Sequence, residues 1–77
     1  MFSREVEAVK FEMKQGELVR RIEAYKTALA AGEFARASWP HLAAWLDTTE
    51  EALSQVLRDG PDTPRGRLLR KTATWLR

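Results

Sequence analysis

The amino-acid sequence predicts an all-α domain of four or five helices, and three observations carry that expectation. Apolar residues recur at intervals of three and four over most of the chain. Helix starts and stops are written in side-chain chemistry, with Ser38 and Thr63 each standing just before a proline and Gly32 and Gly60 closing apolar segments. No stretch alternates apolar and polar residues as a half-buried strand would.

Ser3 is placed to cap a first helix over residues 1–16, with Val6, Val9 and Met13 on one face. After Gly16 a stronger stripe runs through Leu18, Ile22, Tyr25 and Leu29, broadened by Val19. The step of five from Met13 to Leu18 rotates the stripe, so a break, a bend or a change of partner is expected at Gly16. Gly32 is placed to take the left-handed conformation that closes this helix. Phe34, the one large apolar residue of the connection that follows, is expected to plug the underside of the core.

Ser38 then caps a brief helix from Trp39 to Leu46, with Pro40 in its first turn, where a missing backbone N–H costs little. The next helix begins at a polar break, Asp47-Thr48-Thr49, where Thr48 with Glu51 has the capping-box spacing and Thr49 is the alternative cap. It ends at Asp59 and Gly60, and Pro61 to Pro64 form a stiff turn. Thr63 and Pro64 open a last helix to Leu76, with Leu69, Ala73 and Leu76 on one face.

At 77 residues the chain is one helical domain, near the size at which a single core barely sustains itself, so every large apolar residue has to count. It has no cysteine, which removes disulfides and thiolate metal sites. No apolar run reaches membrane-spanning length and the N-terminus is charged, so a cytoplasmic protein is expected. The net charge of +2 is small, but it is unevenly spread. Residues 38–60 hold Arg58 against Asp47, Glu50, Glu51 and Asp59, whereas residues 61–77 hold Arg65, Arg67, Arg70, Lys71 and Arg77 against Asp62 alone.

Catalysis is not expected. One histidine and no cysteine make no metal-ligand cluster, the four glycines are too scattered to cradle a phosphate, and no base stands ready to activate a nucleophile. Glu50 and Glu51 are neighbours on a helix and point about 100° apart, so they do not converge on one substrate atom. As first-turn acids they suit the helix dipole. No cofactor, metal or small-molecule substrate is implied.

Residues 39–58, WPHLAAWLDTTEEALSQVLR, resemble the helix-turn-helix pattern over its full twenty residues. Leu42, Ala43, Leu46, Leu53 and Val56 occupy its main core positions. The glycine usual at the turn is Asp47, which tolerates the left-handed conformation, and the apolar residue usual after it is Thr48. More widely, residues 17–77 resemble the DNA-recognition domain of phage terminase small subunits, which mark viral DNA for packaging. The shared order is a long helix (ELVRRIEAYKTALAAG), the two motif helices and a basic helix (RLLRKTATWLR). Members of that family usually carry an oligomerisation region after this domain, whereas this sequence stops at Arg77, so a prophage-encoded regulator or a remnant stands beside packaging as an expectation.

That resemblance implies double-stranded DNA as ligand, and further copies of the chain or the large terminase subunit as protein partners. The second motif helix would enter the major groove with Thr49, Glu50, Ser54, Gln55 and Arg58 facing the bases. Gln55 would suit adenine and Arg58 guanine or a phosphate, while Glu50 and Glu51 carry the wrong sign for phosphates. Arg65, Arg67, Arg70 and Lys71 of the basic helix would then supply the salt-dependent affinity.

Trp45 falls on the outer side of the first motif helix, with His41 four residues earlier on the same side. This ridge is either a partner-binding surface or is covered by Phe2, Val6 or Phe11 of the N-terminal segment. Trp39, Trp75, Phe34 and Tyr25 are assigned to packing. The function expected is non-catalytic DNA binding of phage or prophage type, with a dimeric transcriptional regulator or a protein-interaction module on the same fold as alternatives.

Overall fold

The computed structural model describes residues 11–77, which form four helices and no strand: α1 (Gln15–Ala30), α2 (Trp39–Trp45), α3 (Glu50–Asp59) and α4 (Pro64–Leu76). The expected all-α class holds. Ser3, Val6 and Val9 of the expected first helix lie outside the described residues. Met13 lies in a non-helical stretch, residues 11–14, so the chain breaks just before Gly16 and α1 takes that glycine into its first turn. No helix among the described residues is long and apolar enough to cross a membrane.

Leu18, Ile22 and Tyr25 of α1 are buried as the spacing predicts. The fourth place falls to Ala28, with Leu29 only half-buried, and Val19 stands 38% exposed, so it does not broaden the stripe. Two turns of this molecule use one device. Beyond α1, Gly32 has φ +79 while its N–H donates to Leu29 O at 3.0 Å and Glu33 N–H donates to Ala28 O at 3.0 Å. Beyond α2, Asp47 has φ 60, its N–H donates to Ala44 O at 3.0 Å, and Thr48 N–H donates to Ala43 O at 2.9 Å. Both pairs satisfy the last carbonyls of a helix while reversing the chain. Asp47 therefore does what the expected glycine would do.

Ser38 Oγ accepts from His41 N–H at 3.2 Å and caps α2. Thr49 is the cap of α3, its Oγ1 accepting from Ala52 N–H at 3.1 Å, which decides between the two threonines. Thr48 Oγ1 is left buried without a partner among the described residues. Thr63 caps α4 through Gly66 N–H at 3.0 Å.

The core joins Leu18, Ile22 and Tyr25 to Leu42, Ala43 and Leu46 of the α2 segment, Leu53 of α3 and Leu69 of α4. Packing contacts join α4 to both α1 and α3, and α2 to α3. Lys14 and Gln15 line the same groove as Thr63 and Pro64, while Lys26 meets Trp75, so α1 and α4 run parallel. Two α4 residues escape the apolar pattern. Thr72 is 1% exposed, tolerable because its hydroxyl donates to Leu68 O at 2.8 Å. Gly66 is buried where a Cβ would collide with the Gly60 carbonyl oxygen, so only glycine lets the start of α4 pass the end of α3 so closely.

Candidate nucleic-acid interface

The exposed face of α3 carries Glu51, Gln55, Arg58 and Asp59. With about 100° between successive residues, Glu51 and Arg58 mark its centre and Glu50 lies toward its edge. Sequence reasoning placed Glu50 on the outer face and left out Glu51, whose side chain is 83% exposed. The face is tied to itself. Gln55 Nε2 donates to Asp59 Oδ2 at 2.8 Å, Arg58 Nη2 donates to Gln55 Oε1 at 3.0 Å, and the same nitrogen lies 3.6 Å from Glu51 Oε2. Both ends of the Gln55 amide, which a two-point contact to adenine needs, are already engaged. Exposed bonds of this kind are worth about 1 kcal/mol or less each, so a duplex could displace them. The acidic balance of the helix, Glu50, Glu51 and Asp59 against Arg58, is the weightier obstacle. Thr49 is committed to its cap, and Ser54 is half-buried beside Leu57.

α4 is the opposite case. It contains Arg65, Arg67, Arg70 and Lys71 and no acid. Arg67, Arg70 and Lys71 are exposed and lie within an arc of about 100° around the helix, with exposed Thr74 between them. Arg67 Nη1 donates to Asp62 O at 2.7 Å, a backbone contact that leaves its charge unpaired. Among the described residues no ion pair engages Arg67, Arg70 or Lys71.

Arg65 does not belong to this arc. It is turned more than about 100° from the other three and is half-buried. Its Nη1 donates to Phe11 O at 3.0 Å and to Met13 O at 2.9 Å, and its guanidinium carbon lies 5.7 Å from the Phe11 ring centroid. Arg65 clamps the non-helical residues 11–14 onto the start of α4. Its contacts span more than fifty residues of sequence, which local spacing does not reveal.

His41 and Trp45 do not form an outward ridge. Both are half-buried against Tyr25, which is fully buried. The Trp45 ring meets Tyr25 edge-on at 5.4 Å, and its Nε1 donates to Arg21 O at 3.0 Å. His41 packs on Phe34 at 4.5 Å, and its Nδ1 lies 2.9 Å from the Tyr25 hydroxyl. That hydroxyl oxygen accepts from Ser38 N–H at 3.3 Å and also lies 3.5 Å from Ser38 O as a donor. Phe34 stacks on Tyr25 at 5.0 Å, the plug expected of it. The cover over Trp45 thus comes from α1 and Phe34, while Phe11 packs beside Arg65. Phe2 and Val6, the other expected covers, lie outside the described residues.

Comparison with family models, with curated proteins and with solved structures finds no match for this chain.

Proposed function

We propose that this chain is a non-catalytic module that binds double-stranded DNA, of the kind the resemblance to phage terminase small-subunit recognition domains implies. The observation that carries the reading is the outer arc of α4, where Arg67, Arg70 and Lys71 stand together, exposed and without an ion-pair partner among the described residues. Such an arc would release counterions from a phosphate backbone. The left-handed turn at Asp47 between α2 and α3 supports a helix-turn-helix frame, and α3 then lies against the duplex as the weaker, acid-bearing contact.

In a duplex-binding titration at low salt the chain is expected to bind. Replacing Arg67, Arg70 and Lys71 together with alanine should flatten the slope of log affinity against log salt by about 2.7, at about 0.9 for each phosphate that the protein ceases to neutralise. No binding by the unmodified chain, or an unchanged slope in the variant, overturns the reading. The acidic face of α3 favours a second reading, a protein-interaction module. That reading predicts capture of a basic partner, abolished when Glu51 and Asp59 are replaced with lysine.

A further inference from the structure

Around α4, the residue that follows Lys71 on the side facing α1 is Trp75, one turn further along and 39% exposed. It is one of two large apolar side chains left open to solvent among the described residues, the other being Val19. Lys26 of α1 lies over it, with Nζ 5.2 Å from the indole centroid, and the Tyr25 ring meets it edge-on at 6.3 Å. The Trp75 indole N–H has no acceptor among the described residues, unlike that of Trp45. Because α1 and α4 run parallel, the Lys26 ammonium is delivered to the last turn of the basic arc rather than to its start. Arg67, Lys71 and Lys26 consequently follow one another along one flank, with an aromatic ring set beside the last two.

Charge for phosphates next to an exposed ring suits the backbone of a nucleic-acid strand, the cations engaging phosphates and the ring the apolar face of a sugar, since the base faces of a duplex are stacked inside. A lysine needed only to cover Trp75 could do so with its alkyl stem, and the ammonium over the ring adds a cation that no acid among the described residues neutralises. We propose that Lys26 and Trp75 extend the DNA-contacting surface from α4 onto α1, Lys26 as a phosphate ligand and Trp75 as an apolar contact to the same strand. This rests on the duplex-binding reading above and adds two residues to it.

The test uses the full chain and one defined duplex over a range of salt. Lys26→Met keeps a stem over the indole and removes the charge. It should weaken binding several-fold and flatten the salt slope by about one, while thermal stability stays at that of the unmodified chain. Adding duplex should also change tryptophan emission, and most of that change should vanish in Trp75→Phe. If Lys26→Met binds with unchanged affinity and slope while Lys71→Ala reduces both, the surface stops at α4 and this inference fails with the duplex reading intact. An emission change that survives Trp75→Phe refutes the Trp75 contact. Should Trp75→Phe fail to fold, Lys26→Met alone decides. Absence of duplex binding by the unmodified chain overturns both readings together.

Discussion

α3 and α4 pack against each other, yet their exposed faces are built on opposite plans. On α3 the charged groups satisfy one another: Arg58 reaches Glu51 and Gln55, and Gln55 reaches Asp59. On α4 the three outer cations form no ion pair among the described residues, and the fourth, Arg65, is spent on holding residues 11–14. Self-satisfied polar groups cost a ligand the bonds it displaces, whereas unpaired cations cost it only their hydration. Under the proposed duplex-binding reading, position in the α2–α3 frame therefore does not by itself decide where affinity resides. Here the frame fixes the geometry and the following helix carries the charge.

The largest effect is expected at the joint between the two helices. Gly66→Ala would drive a methyl group into the Gly60 carbonyl, and the overpacking should cost about 1–3 kcal/mol, read as a lower midpoint in urea with an unchanged slope. On a domain of this size that is a large share of total stability. An alanine variant as stable as the parent would mean that the α3–α4 corner is not set by this contact, and the relative placement of the two faces would lose its basis.

A smaller change of opposite sign is expected at the turn before α3. Thr48→Val removes a buried hydroxyl that has no partner among the described residues and keeps the branched shape, so it should stabilise the fold by about 1 kcal/mol in thermal or chemical unfolding. Duplex affinity, which the proposed reading assigns to α4, should not move. A destabilised valine variant would imply that the hydroxyl is satisfied in solution.

The finest test separates the two faces electrostatically. A carboxylate about 8 Å from a phosphate costs about 0.5 kcal/mol in water, so Glu50→Gln combined with Glu51→Gln should strengthen duplex binding about fivefold at low salt. The gain should shrink as salt is raised. The same variant should lose up to about 1 kcal/mol of stability, because both acids lie in the first turn of α3. Unchanged affinity would place α3 away from the duplex altogether.

Much of the fold was legible because helix ends are specified locally. The caps at Ser38 and Thr63, the prolines that follow them, and the left-handed turns at Gly32 and Asp47 all depend on residues within a few positions. What stayed hidden depends on partners distant in sequence. Periodicity assigned Trp45 to an outer side because it does not know that Tyr25 and Phe34 lie there, and it grouped Arg65 with its neighbours because it does not know that Phe11 and Met13 need a donor. Gly66 carried no mark of its own, since a glycine in a helix reads as a weakness until the chain crossing beside it is seen. In the candidate interface, composition located the basic helix, and only the geometry divided its cations into three that face outward and one that faces the chain.

An amide chemical-shift map of the labelled chain, titrated with a duplex at low salt, bears on the division between the two helices without any substitution. The largest shifts should fall on α4 at Arg67, Arg70, Lys71 and Thr74, extend to Lys26 and Trp75, and be smaller over residues 51–59. Shifts concentrated on Glu51, Gln55 and Arg58, with α4 silent, would place the duplex on α3 and contradict the assignment of affinity to the helix that follows it.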